Sequence, residues 1–178
     1  MEMEPTPIIN YDYYFNSNEW FIIVSLLAGY ALIFFLPKRF PLPLTLLFLI
    51  IGVNSGIIFD HTISIPPFDF YDVNDSSYFE LFDFLSYIQY GPFGYLFFYF
   101  HSYLKIKGYF NMLYIVMWSI IAMFTEGIAT YLGVFHYKEG YVFIYSYPFY
   151  FYIQSLTLAI YLYIMKVTKI PQKYPPHQ

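Results

Sequence analysis

The sequence predicts an all-α fold, a polytopic bundle of five transmembrane helices forming one domain over 1–178, with the N-terminus outside and the C-terminus inside. Three observations predict it. Of the residues, 59% are hydrophobic and only 11% charged, against about 25% charged in soluble globular proteins. Five stretches approach the roughly 20 apolar residues needed to cross a bilayer core. The charges between those stretches sort by sign, as membrane topology requires. The 22 Phe and 23 Tyr fit the same picture, because large rings with an apolar body suit the bilayer and its interfaces.

The first span covers about 20–36, led in by Asn16-Ser17-Asn18 and stopped at Pro37. The second covers about 43–59, with Asp60-His61 placed just past its end. The third, about 78–104, opens on Ser77 and Glu80, spaced as a capping box after the turn-like Asn74-Asp75. The fourth covers about 110–135 and the fifth about 142–165. An acidic, aromatic outer loop, 60–77, is stiffened by Pro66-Pro67, and a basic inner tail covers 166–178.

Placing the N-terminus outside puts Lys38, Arg39, Lys105, Lys107, Lys166, Lys169 and Lys173 inside, leaving Lys138 alone among the basic residues outside. The acids face outward, apart from Glu126, which falls within the fourth span. An odd number of spans satisfies this segregation, and an even number mixes the signs.

Several classes are excluded. There are no cysteines, which removes disulfides, thiol catalysis and cysteine-held metals. The net charge is −4 and no basic run exceeds Lys38-Arg39, so nucleic acid is not an expected partner. The acidic N-terminus is not expected to be a cleavable signal. No metalloprotease, nucleophile-elbow, phosphate-loop or dinucleotide motif is present, and no cofactor is expected. The expected surroundings are the lipid bilayer, with a membrane-protein partner or a second copy as further possibilities.

Glu126 is the sharpest residue. It lies nine residues before Phe135, ~14 Å from the outer end at 1.5 Å per residue. An ionisable group at that depth is costly and is a functional candidate by default. Asn54, Gln89 and Gln154 fall at similar depth and are expected to form a polar layer with it. The alternative for the amides is interhelical hydrogen bonding. Pro92, within Gly91-Pro92-Phe93-Gly94, and Pro148 are expected to kink or interrupt the third and fifth spans. Gly52 and Gly56 form a G-x-x-x-G pair that suits close helix packing within the chain. Asp60, His61, Asp83 and His136 are the outer candidates for a divalent metal. Asp69, Asp72 and Asp75 lack the calcium-loop register, so no metal is assigned. His101 is expected to be a packing residue.

The run from Asp60-His61 through Pro67, then Phe70-Tyr71-Asp72-Val73-Asn74-Asp75, is followed by Gly91-Pro92-Phe93-Gly94-Tyr95. With Glu126, Gly133-Val134-Phe135-His136-Tyr137 and Tyr145-Ser146-Tyr147-Pro148, it resembles an uncharacterised family of small aromatic-rich multi-pass membrane proteins of spore-forming Gram-positive bacteria. The resemblance covers about 60–150 and departs from the family at Lys138-Glu139-Gly140, where a Trp is expected. It implies a bacterial cytoplasmic membrane and brings no activity. The stretch from Glu126 to Tyr137 also echoes membrane proteins acting on carotenoids.

The leading expectation is a non-enzymatic protein that binds or transports a small solute or cation around Glu126. One alternative is a membrane-embedded enzyme acting on a lipid or isoprenoid, with Glu126 as general acid/base. Another is a structural or accessory subunit of a membrane complex. No catalytic residue is assigned.

Overall fold

The structure is a computed structural model and describes residues 14–74, 79–138 and 140–168. Five long helices run in chain order: α1 (Ser17–Phe35), α2 (Leu42–Ile63), α3 (Leu81–Tyr103), α4 (Phe110–Tyr131) and α5 (Ser146–Thr168). Two short strands, β1 (Tyr71–Val73) and β2 (Phe135–Tyr137), lie in the connections before α3 and before α5. A 3-10 turn, Phe143–Tyr145, leads into α5. Four segments are long and apolar enough to cross a membrane: α1, α2, α4, and the 3-10 turn joined to α5. Helix α3 matches them in length but is richer in Tyr, Gly, Ser and His. Its polar character follows from its position, because it packs against α1 and α2 and has more buried residues than any other helix.

The connections alternate between two ends. Arg39, between α1 and α2, donates to the Ser102 hydroxyl (2.7 Å) and carbonyl (2.6 Å) near the end of α3. At the opposite end β1 pairs antiparallel with β2, in the register Tyr71 with Tyr137, Asp72 with His136 and Val73 with Phe135. Lys38, Arg39, Lys105, Lys107 and Lys166 flank the first, basic end. The β-ribbon forms a cap over the second, and Lys138 holds that cap together through Asp69 (2.6 Å) and Asp72 (2.8 Å). Among the described residues Lys138 is the one Lys or Arg of the capped end, and it clamps the acidic loop.

Helix termini differ from the sequence expectations in instructive ways. Asn16 caps α1, and its own amide donates to Glu19 at 2.7 Å. Helix α3 starts one turn later than expected. Glu80 is its cap residue, and the Glu80 amide donates to Asp83 at 2.7 Å; Ser77 and Asp75 lie outside the described residues. Helix α2 runs on to Ile63, so Asp60 and His61 sit in its last turn rather than beyond it. Helix α4 stops at Tyr131, short of 135. Gly133 adopts a left-handed φ of 86°. The Gly133 amide bonds to the Thr130 carbonyl (3.1 Å) and the Val134 amide to the Ala129 carbonyl (2.8 Å), which is the Schellman termination that glycine favours. Glu126 is therefore five residues, ~8 Å, from the helix end, nearer the cap than expected.

Neither expected helix interruption occurs. Helix α3 is continuous through Pro92. The missing proline N–H frees the carbonyl four residues back, that of Ile88, and the Tyr30 hydroxyl of α1 donates to it at 3.3 Å. Pro148 sits in the first turn of α5, where a helix tolerates proline because its N–H groups lack partners anyway.

Helices α1, α3 and α2 form a close layer. A Cβ at Gly52 would stand 2.4 Å from the Tyr90 carbonyl oxygen, and one at Gly94 would stand 2.5 Å from the Gly52 Cα. The G-x-x-x-G pair of α2 is used within the chain. Helices α4 and α5 pair with each other and face this layer across a gap. At the basic end the gap is filled by rings. Phe48 stacks on Phe98 at 4.2 Å, Phe98 on Tyr161 at 5.4 Å, and Trp118 meets Phe97 at 5.6 Å. His101 joins this cluster between Tyr114 and Tyr161 and contacts Asn111 through Nε2 at 2.8 Å, as a packing residue would.

Candidate functional site

Toward the capped end the gap is hollow. A cavity of about 270 Å³ lies between the five helices, with Tyr71 and Phe135 of the two strands in its wall. That volume is just below the roughly 300–1,000 Å³ typical of small-molecule sites. Its origin is a size gradient along two stripes. On α2 the buried residues Leu44, Phe48, Gly52, Gly56 and Asp60 recur every four positions; on α4 Tyr114, Trp118, Ala122 and Glu126 do the same. An i+4 spacing keeps each stripe on one face. Both helices run from the basic end to the cap, so both faces pass from large rings, through small residues, to a carboxylate.

The two carboxylates line the cavity beneath the ribbon. Glu126 is 7% exposed. Its Oε1 accepts from the Tyr137 hydroxyl and from Ser146 Oγ, each at 2.6 Å. Ser146 has spent its proton on Glu126, so Tyr141, 2.9 Å from Ser146 Oγ, is the donor of that pair. Tyr150 approaches the same carboxylate, yet Glu126 Oε2 is buried without a hydrogen-bond partner. Asp60, also 7% exposed, accepts from the Tyr71 hydroxyl at 2.8 Å, and Tyr87 approaches it as well. Tyr71 and Tyr137 are opposite each other in the ribbon, and directly opposite residues share a face. Each therefore reaches down to one carboxylate. Tyr90 lies within electrostatic reach of both.

In the cap, Tyr71, Tyr137 and Lys138 are held in their protonated forms. Burial, and then the neighbouring Asp60, push the Tyr71 hydroxyl well above the ordinary tyrosine value, so it stays a donor. Burial and the bond to Glu126 do the same for Tyr137. Burial pulls the Lys138 ammonium down, but Asp69 and Asp72 outweigh it and hold it above the ordinary lysine value.

The expected polar layer is gathered only in part. Gln89 and Gln154 line the cavity with Glu126, and Pro92 is in its wall. Asn54 does not join them. It is exposed on the opposite face of α2, because the glycine face of that helix turns toward α3. Pro148 is also outside the wall, at the start of α5. The outer metal candidates are dispersed. Exposed His61 bonds back to the Ile57 carbonyl (3.0 Å), His136 stands opposite Asp72 in the ribbon, and Asp83 accepts from Asn74 Nδ2 (2.6 Å) and caps α3. Among the described residues no three His, Asp or Glu side chains gather in a metal-binding group.

Sequence reasoning missed Asp60 as a cavity residue, and missed the tyrosine partner of Asp60 and the tyrosine and serine partners of Glu126. The i+4 stripe ending in Asp60 carried that signal, parallel to the one ending in Glu126. The partners carried none, since they come from the ribbon and the start of α5 and meet the carboxylates only in the fold. Comparison with known protein families, with curated proteins and with solved structures finds no match.

Proposed function

We propose that the chain is a five-span protein of a bacterial cytoplasmic membrane, N-terminus outside, that binds a small solute in the capped cavity. The carrying observation is the cavity of about 270 Å³ itself, whose wall gathers Glu126, Asp60, Gln89 and Gln154 from four different elements among apolar and aromatic neighbours, the pattern of a small-molecule site. What favours binding over passage is the basic half. The Phe48, Phe98 and Tyr161 rings are fully buried there, so the cavity is blind at that end. Orientation follows from the basic residues at the uncapped end, which the positive-inside rule places in the cytoplasm. On this reading α3 spans as the innermost helix, where contact with protein rather than lipid permits its Tyr, Ser and His.

A structure determined in lipid tests the reading. Ordered density beside Glu126, Gln89 and Gln154 supports it. A collapsed cavity overturns it.

Asn54 favours a second, compatible reading, association with another membrane protein or a second copy. It is exposed nine residues, ~14 Å, before the end of α2, between exposed Ile50 and Ile58. An amide in hydrocarbon is stabilised by a partner helix. Loss of an oligomer on Asn54→Leu, read by crosslinking in membranes, supports this; an unchanged pattern removes it.

A further inference from the structure

We infer that the solute is a small organic cation with an apolar body, its ammonium head at the capped end of the cavity, whose wall carries Glu126 and Asp60. This rests on the binding reading above and adds the chemical class.

Charge comes first. The cavity wall contains two carboxylates and no Lys, Arg or His. The hydrogen bonds to those carboxylates come from neutral hydroxyls, those of Tyr71, Tyr137 and Ser146. Lys138, the basic residue of the cap, is engaged by Asp69 and Asp72 instead. Two buried acids whose hydrogen-bond donors are neutral attract positive charge, with exposed His61 outside the wall as the basic group within electrostatic reach of Asp60.

Hydrogen bonding agrees. The cavity's carboxylates act as acceptors for the groups around them, and a ligand ammonium brings further N–H donors of the stronger, charge-assisted kind. An anionic ligand would bring a like charge and more acceptors.

The wall selects an organic rather than an inorganic cation. Phe59, Tyr90, Phe93, Phe149 and Tyr150 contribute rings to it. Ring faces attract ammonium groups and accommodate an apolar body. Calcium requires six or more oxygen ligands, carboxylates prominent among them, whereas among the described residues no three His, Asp or Glu side chains gather in a metal-binding group.

The test uses the full chain in lipid nanodiscs and three probes of one shape: 2-phenylethylamine, which is cationic at neutral pH, neutral 2-phenylethanol, and anionic 3-phenylpropanoate. Calorimetric titration reads affinity. The amine is expected to bind at least about tenfold more tightly than the alcohol, the scale of one hydrogen bond to a charged group, and the anion not at all. Glu126→Gln and Asp60→Asn should each weaken the amine about tenfold or more and leave the alcohol within about threefold. Ile120→Ala, exposed on α4 and outside the cavity wall, should leave all three affinities unchanged. The parent comparison of amine with alcohol stands even if a variant fails to fold.

Equal affinity for amine and alcohol overturns the cation and leaves the binding reading intact. So does preference for the anion, or amine binding that survives both carboxylate substitutions in folded protein. Calcium binding lost in both variants overturns the organic cation in favour of a metal. If none of the probes nor calcium binds to folded protein, the binding reading falls as well.

Discussion

The two halves of the bundle are built from the same five helices but packed in opposite ways. In the basic half α3 carries Tyr95, Phe97, Phe98 and Tyr99, and α4 and α5 answer with Tyr114, Trp118 and Tyr161; the rings interlock and fill the gap. In the capped half α3 carries Ser86, Gly91 and Gly94, and α4 carries Ala122 and Ala129, and the gap stays open. Within a bilayer, helices gain little from hiding apolar surface, since lipid is equally apolar; association depends on packing and polar contacts. The basic half uses packing. The capped half gives up packing and is held by the ribbon, by hydrogen bonds to Asp60 and Glu126, and by the close approach of α2 to α3.

Substitutions can break this contrast. The largest effect is expected for Phe98→Ala, fully buried between Phe48 and Tyr161. It should cost about 4 kcal/mol, read by thermal or detergent denaturation. Phe149→Ala in the hollow half removes the same atoms beside existing space and should cost about 1 kcal/mol. Equal costs would erase the distinction. Next comes Gly52→Ala. Its new Cβ would run into the Tyr90 carbonyl oxygen, and forcing α2 from α3 should cost about 3 kcal/mol.

Filling the hollow half should act in the opposite direction. Ala122→Leu places a larger side chain in the cavity wall and should stabilise by about 1 kcal/mol while abolishing solute binding. Destabilisation there would mean that the space is already occupied. Tyr137→Phe should cost about 1 kcal/mol by removing one of the two donors to Glu126 Oε1.

The smallest effect concerns the clamp. Lys138→Met should weaken the cap by about 0.7 kcal/mol, the scale of a partly exposed ion pair. Because the folded-state pKa of Lys138 is raised, its contribution is complete below the ordinary lysine pKa and is lost as pH climbs through the raised value. Cleavage of the cap loop by an alkaline protease should be about threefold faster in the variant near about pH 8 and should converge on the parent as pH climbs past the raised lysine value. A pH-independent ratio would assign the effect to lost packing.

Much of the helical architecture could be read directly. Four of the five spans coincide with helices apolar enough to cross a membrane, because hydrocarbon demands long apolar segments whatever their neighbours are. Helix ends were less legible. Gly133 carried a stop signal for α4, and overlooking it put Glu126 too deep. The cavity gathers Glu126, Gln89 and Gln154 without Asn54, since depth along a helix can be counted but the face a residue takes depends on what the helix packs against. Gln89 and Gln154 turn inward, while Asn54 turns outward because Gly52 and Gly56 claim the α3 side of α2.

By itself the sequence determined the membrane character, the helices and the sorting of charge, all local or compositional properties set by the energetics of hydrocarbon and water. It also placed Glu126 inside a helix. The tertiary structure alone decided that Asp60 faces the same cavity as Glu126, and that Tyr71 and Tyr137 descend from one ribbon to hold them. Those contacts join residues from separate elements, and their geometry comes from how close glycines let α2 approach α3 and how far apart the aromatic rings hold the two helical layers.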